Sequence, residues 1–321
     1  MNFSLSLCVA VAAAMLLLHV ASAKETSFEE LEREAHEIKL SPFAKHVIPL
    51  LDMIEIFSPA MARHAKTFET LEGWDRAVYD FFELYLFPLG VMIALYLPLV
   101  FLGRWYMRDR APFDLKVPLI LWNAALSIFS IWGTVYMVPI FFRVFNDISW
   151  YNSVCTRWCF GYGADNYLIL LFTLSKIAEF VDTAFIILRK KPLMFLHYYH
   201  HVTTVSFCIF MMIVSHYSGC HAYMFGAMNF LVHSFMYTYY CISACGIRLP
   251  GFVATFITII QIVQMIVGII IIATHSQCPR PHTATVYTGF IIYGSFFVER
   301  YILKTRSPSP SQKGGNGKKR D

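Results

Sequence analysis

The segment FLHYYHHVTT, Phe195 to Thr204, holds three histidines within five positions. On an α-helix His197, His200 and His201 stand at i, i+3 and i+4 and so share one face. Imidazoles at that spacing fit three readings: ligands for iron, a nucleophile-and-base pair for acyl transfer, or a packed polar patch. A second group lies upstream in LSKIAEFVDTAF, where Lys176, Glu179, Asp182 and Thr183 follow i, i+3, i+6 and i+7. Lys176 and Glu179 are spaced to pair. Downstream, Asn229, His233, Tyr237 and Tyr240 follow i, i+4, i+8 and i+11, and Thr258, Gln261 and Gln264 follow i, i+3 and i+6. Each of four successive segments therefore reads as a helix carrying one polar stripe.

The elements that must position these stripes are strongly apolar. The chain of 321 residues is 57% hydrophobic and 15% charged, against about 25% charged residues in a soluble domain. Apolar runs lie at roughly 82–103, 117–142, 166–188, 193–217, 222–245, 251–274 and 283–303. Each is near or above the ~20 residues that cross a bilayer core as helix. The expected fold is an all-α polytopic membrane protein with seven transmembrane helices. An ionisable residue at bilayer depth costs about 2.5–3.5 kcal/mol and marks a functional site by default. Interhelical hydrogen bonding is the bland alternative, but it needs only one or two polar residues per interface. Four stripes on consecutive helices point instead to a lined cavity.

The flanking segments set the topology. Residues 1–23 end in Ala21-Ser22-Ala23, an A-x-A cleavage pattern, and read as a signal peptide, with an uncleaved anchor as the alternative. Residues 24–80 form a charged, amphipathic and lumenal segment, 81–304 the seven-helix domain, and 305–321 a disordered cytosolic tail. Basic residues fall on alternate linkers: Arg104, Arg108, Arg110 and Lys116, then Arg189, Lys190 and Lys191, then Arg248, then the tail. The other linkers hold Arg157 and Arg280. The Lys/Arg rule puts the first set, and the C-terminus, in the cytosol. The tail ends Lys318-Lys319-Arg320-Asp321, which resembles the dilysine retrieval signal of endoplasmic reticulum membrane proteins. Cys155, Cys159 and Cys278 fall on the lumenal side, where a bridge from Cys155 or Cys159 to Cys278 is expected. Cys208, Cys241 and Cys245 read as packing residues within helices.

The histidine box begins six residues after Lys191, close to the cytosolic face. The cavity is thus expected to have a wet, basic mouth and an interior of Phe, Ile and Tyr. A long amphiphile with an anionic head fits that shape. Arg189, Lys190, Lys191 and Arg248 would meet its phosphates, and its chain would run inward.

In order and spacing, Lys176-x-x-Glu179-x-x-Asp182-Thr183, His197-x-x-His200-His201, Asn229-x-x-x-His233-x-x-Met236-Tyr237-x-Tyr239-Tyr240 and Thr258-x-x-Gln261-x-x-Gln264 resemble the four signature motifs of the ELO family. These are the elongases of long and very-long-chain fatty acids, and the likeness covers roughly residues 80–304. Phe180 stands where many members have tryptophan, and the segment ahead of the first apolar run is longer than typical. FLHYYHHVTT with MNFLVHSFMYTYY is similar to the branch acting on saturated and monounsaturated chains. The resemblance implies a cavity that encloses an acyl chain. It also implies condensation of malonyl-CoA with a long-chain acyl-CoA to a 3-oxoacyl-CoA, CO2 and CoA, the first step of the elongation cycle. His200 is then the acyl-accepting nucleophile, with His233 facing it, while His197 and His201 orient it and hydrogen-bond the oxyanion. Asn229, Tyr237 and Tyr240 would hold the thioester, with Lys176, Glu179, Asp182, Gln261 and Gln264 completing the substrate cavity. No bound cofactor or metal is implied. The implied partners are acyl-CoA, malonyl-CoA, membrane lipid and the 3-oxoacyl-CoA reductase, dehydratase and enoyl reductase of the cycle, with no nucleic acid.

Three rival readings share some features. A membrane di-iron desaturase or hydroxylase also carries HxxHH, but holds two metals with about eight histidines in three boxes, together with carboxylate or imidazole ligands. Here four of the twelve histidines lie together on the cavity helices. A seven-helix receptor or transporter is the non-enzyme alternative, and the cytosol-facing box and the terminal lysines argue against it. A thiolase-type condensing enzyme needs a cysteine nucleophile on a large soluble α/β domain, and the sequence shows no such domain.

Overall fold

The structure, a computed structural model, describes residues 71–155, 164–213, 220–279, 281 and 283–306. The expected signal peptide, residues 24–70 and the tail beyond Arg306 lie outside the described residues, as does Cys159. Nine α-helices follow in chain order among the described residues. They are α1 (Leu71–Met107), α2 (Lys116–Ile148), α3 (Trp150–Cys155), α4 (Ala164–Ala178), α5 (Phe180–Leu188), α6 (Phe195–Ile213), α7 (His221–Ala244), α8 (Gly251–His275) and α9 (Thr283–Arg306). No strand occurs among them.

Length and composition make three stretches capable of crossing a membrane: Phe87–Met107 of α1, Lys116–Phe142 of α2 and Gly251–His275, which is α8. Thr283–Val298 of α9 is a shorter apolar helix. Pro88, Pro98 and Pro139 sit inside α1 and α2, as membrane helices tolerate when neighbours satisfy the freed carbonyls. Two bounds differ from the sequence expectation. α1 begins at Leu71, inside the segment expected to run to residue 80. The 166–188 run is two helices, with Glu179 between α4 and α5. Glu179 keeps right-handed angles, φ −61 and ψ −13, and the Asp182 amide donates to its carbonyl at 3.0 Å. This is one tightened turn, a feature that tends to mark functional positions.

Apolar packing fixes the arrangement around that turn. α7 lies along α2, where Gly133 allows a close approach: a Cβ there would come within 2.6 Å of the Phe230 ring. Phe230, Met137, Leu168, Phe172 and Tyr223 form one buried cluster between α2, α4 and α7. A second cluster, with Val154, Phe225, Ile271 and Ile272, gathers α3, α7 and α8. Next to it Cys155 and Cys278 are disulfide-bonded with Cα atoms 5.4 Å apart, which selects Cys155 from the two expected candidates. Cys220, which the sequence reading left unassigned, is also disulfide-bonded. The opposite end of the bundle is tied differently. α5 ends with Lys191 N donating to Ile186 O and Lys190 N to Ile187 O, with Lys190 at φ 52, a left-handed helix stop. The Lys190 ammonium then donates to the carbonyls of Arg108 and Arg110, each at 3.0 Å.

Candidate active site

The tightened turn places Lys176 and Glu179 against α7. Lys176 Nζ donates to Glu179 Oε1 and to Asn229 Oδ1 at 2.8 Å. Glu179 Oε1 lies 3.3 Å from His233 Nδ1, and Asn229 Nδ2 lies 3.3 Å from His233 Nε2. Lys176, Glu179 and His233 are only 3%, 3% and 5% exposed. An ion pair so deep is tolerated only when further hydrogen bonds complete it, and Asn229 and His233 supply them. The Phe172 ring covers the ammonium, 4.7 Å from its centroid.

One turn further, Asp182 accepts two hydrogen bonds, from Trp122 Nε1 at 2.6 Å and from Tyr237 OH at 2.7 Å. Its neighbour Thr183 bonds Tyr96 OH at 2.8 Å and His197 Nε2 at 3.0 Å. The rings of His197 and His201 lie 4.4 Å apart. The carboxylate stripe of α4 and α5 is therefore anchored from α1, α2, α6 and α7 at once. The rings of His200 and His201 lack such an anchor. The His200 ring touches His201 at 5.6 Å and Phe296 at 4.9 Å between centroids. Among the described residues its ring nitrogens make no hydrogen bond.

Two cavities meet at that ring. One encloses about 910 Å³ of empty space, including its open mouth, and is lined by Glu179, His197, His201, His233, Tyr240 and Gln261 among others. The other, about 660 Å³, is walled by Phe172, Phe207, Met211, Phe225, Ile292 and Tyr293. His200, Asn229, Gln264, Met265 and Phe296 line both. A polar chamber and an apolar one share a wall, and an unbonded imidazole stands in it.

Of the residues expected at the site, His197, His200, His201, His233, Glu179, Asp182, Asn229, Tyr237, Tyr240, Gln261 and Gln264 line the polar chamber, with Lys176 bonded behind them. Thr258 returns its hydroxyl to Ala254 O of its own helix. Arg189, Lys190, Lys191 and Arg248 lie outside the lining of both chambers. Lys190, Lys191 and Arg248 are exposed, and the Lys190 ammonium is engaged with the α1–α2 loop. Sequence reasoning missed Tyr96, Trp122 and Phe296, which reach the site from α1, α2 and α9. Each is a single aromatic in a chain with 29 Phe, 18 Tyr and 6 Trp, so no spacing singled it out.

The chain is similar to known proteins. The chain is 39% identical over 225 residues to "Long chain fatty acid elongase 1" of Caenorhabditis elegans, covering 65% of this chain and 77% of the relative. It is 38% identical over 236 residues to "Very long chain fatty acid elongase 3" of Mus musculus, covering 72% and 84%. It is 36% identical over 224 residues to "Very long chain fatty acid elongase 6" of Gallus gallus, covering 66% and 83%. Residues 81–309 match the family described as ELO, GNS1/SUR4, and the chain belongs to that family.

Proposed function

We propose that this chain is a fatty acid elongase that condenses malonyl-CoA with a long-chain acyl-CoA, with His200 as the residue that accepts the acyl group. One observation carries the assignment of His200: its ring stands, without a hydrogen bond among the described residues, where the polar and apolar chambers meet. A thioester carbonyl placed at that junction has its alkyl chain in the apolar chamber and its CoA portion toward the polar mouth.

The reaction then balances in two halves. A His200 ring nitrogen attacks the thioester carbonyl, the N–C bond forms, the C–S bond breaks, and the displaced proton goes to the CoA sulfur. Malonyl-CoA next loses CO2, and the resulting enolate carbon attacks the acyl carbonyl. A C–C bond forms, the N–C bond to His200 breaks, and the imidazole takes up a proton from water, the one the overall reaction consumes, to leave a 3-oxoacyl-CoA. His233 faces the polar chamber as the base in this exchange, and His197 and His201 donate to the oxyanion. The exposed Lys191 and Arg248, with the half-buried Arg189, at the end of the bundle nearest the box, meet the CoA phosphates.

Seven crossings are proposed for α1, α2, the α4–α5 pair, α6, α7, α8 and α9. The disulfide-bonded end lies in the oxidising lumen, and the lysine- and arginine-bearing end, with the tail, lies in the cytosol. The dilysine sequence of the tail supports residence in the endoplasmic reticulum, beside the three enzymes that would reduce and dehydrate the product. Microsomes carrying the chain, given acyl-CoAs of graded length and labelled malonyl-CoA, will yield labelled 3-oxoacyl products. His200→Ala and His233→Ala will each bring condensation below a few per cent while the protein still accumulates in the membrane. Activity retained in either variant removes that residue from the chemistry.

A further inference from the structure

The ring of His233 is held at both nitrogens, and the partners decide which nitrogen carries the proton. Lys176 Nζ has only hydrogens to give, and it donates to the side-chain oxygen of Asn229 at 2.8 Å. That contact fixes which end of the Asn229 amide is oxygen. The other end, Nδ2, is then a donor, and it points at His233 Nε2 from 3.3 Å. Nε2 must therefore offer a lone pair. In a neutral imidazole the remaining nitrogen, Nδ1, carries the hydrogen, and Glu179 Oε1 stands 3.3 Å from it as an acceptor. Lys176 Nζ is also 3.4 Å from Nδ1, but two donors cannot bond each other, so that approach is a consequence of the shared carboxylate. Every group in the ring of contacts has one role that satisfies all the others.

We propose that Lys176, Glu179 and Asn229 form a positioning unit that locks His233 as its Nδ1–H tautomer. The lone pair of Nε2, held by the Asn229 donor, is then the one able to take a proton, and His233, Asn229 and His200 line one chamber. Lys176 is the anchor, because its choice of Asn229 Oδ1 sets the amide and the amide sets the imidazole. Glu179 has a second task. When Nε2 takes a proton during the reaction, the ring becomes imidazolium, and the Glu179 carboxylate already holds its Nδ1–H. The Asn229 donor must then yield Nε2 to the incoming proton, which makes Asn229 a gate as well as a guide. This assignment rests on the proposed condensation only for its kinetic arm, because the tautomer itself can be read without any turnover.

The direct test is the nitrogen spectrum of the full-length chain in bilayers, labelled with 15N-histidine and assigned at His233 by difference from H233N. A protonated and a lone-pair nitrogen have widely separated shifts, and bonded-proton filtering identifies Nδ1 or Nε2. The expected result is a neutral ring with hydrogen on Nδ1, unchanged by omission of substrate. Hydrogen on Nε2, or a fully protonated ring at neutral pH, overturns the proposal whether or not the chain elongates fatty acids. The kinetic arm uses Asn229→Asp, which keeps the shape and still accepts from Lys176 but has no hydrogen for Nε2. An imposed wrong tautomer in a catalytic histidine costs as much as about 10⁴-fold in kcat. A fall of at least about 100-fold in kcat with KM for acyl-CoA within threefold is expected here, with Asn229→Ser, which restores a donor, recovering part of it. Loss of kcat with the His233 spectrum unaltered, or Ser no better than Asp, assigns Asn229 a packing role and overturns its place in the unit.

Discussion

At the scale of single residues, the site is governed by one buried charge pair. Lys176 and Glu179 are each 3% exposed, so neither has bulk water to fall back on if its partner is lost. Breaking such a pair by removing one partner typically costs about 3–5 kcal/mol, whereas replacing both by apolar or neutral groups is often close to neutral. Lys176→Met is therefore expected to lower thermal stability in detergent sharply, because it strands the Glu179 carboxylate. Lys176→Met with Glu179→Gln should recover most of that stability and none of the activity, since the imidazole of His233 would keep its place but lose the carboxylate that supports it. Thermal unfolding followed by tryptophan fluorescence separates the cases. A single variant as stable as the double would show that the pair is not energetically coupled. His200 is the opposite kind of residue, held by ring contacts to His201 and Phe296 rather than by hydrogen bonds. Its replacement should leave stability nearly unchanged.

At the scale of elements, precision at the site depends on how closely α2 and α7 approach. Trp122 on α2 and Tyr237 on α7 both bond Asp182, so the spacing of these two helices sets where that carboxylate sits. Gly133 opposite the buried Phe230 ring permits the spacing. Gly133→Ala should force the helices apart at a cost of about 1–3 kcal/mol for overpacking, visible as a lower melting temperature and a reduced kcat. Unchanged melting would mean that Phe230 can swing aside freely. The same elements show what was legible in the sequence. The polar stripes were, because His197, His200 and His201, and Asn229, His233 and Tyr237, recur at helical spacing in apolar surroundings where polar groups are conspicuous. The pairing of Lys176 with Glu179 followed from that spacing, and the structure has it. Trp122 and Tyr96 were not legible, since an aromatic residue in an apolar helix carries no mark of the hydrogen bond its polar tip will make. The turn at Glu179 was also hidden, because no glycine or proline announces it. Lys190 read as a phosphate ligand from charge alone, while its left-handed backbone and its bonds to Arg108 and Arg110 are properties of tertiary contact.

At the scale of the whole molecule, the two ends of the bundle differ in chemistry, and this difference makes the orientation testable. One end carries the Cys155–Cys278 bridge and the bonded Cys220, which persist in an oxidising compartment. The other carries Arg108, Arg110, Lys190, Lys191 and Arg248, together with the free, exposed Cys245 at the end of α7. Cys220 and Cys245 cap the two ends of α7, so the bonded and free thiols lie at opposite ends of one helix. A membrane-impermeant maleimide added to sealed microsomes should label Cys245 at once and lose that label in Cys245→Ser. Cys155 and Cys278 should react only after the membrane is opened and the bridge reduced. If seven crossings follow a cleaved signal, the tail with Lys318 and Lys319 shares the compartment of Cys245, and a tag placed there will be cut by added protease. Replacing both lysines with serine should then release the protein to the Golgi with its specific activity unchanged, because the last lysines are far in sequence from every residue of the chamber. Labelling of Cys245 only after permeabilisation would put the histidine box on the lumenal side, away from cytosolic acyl-CoA, and the proposed topology would fall with it.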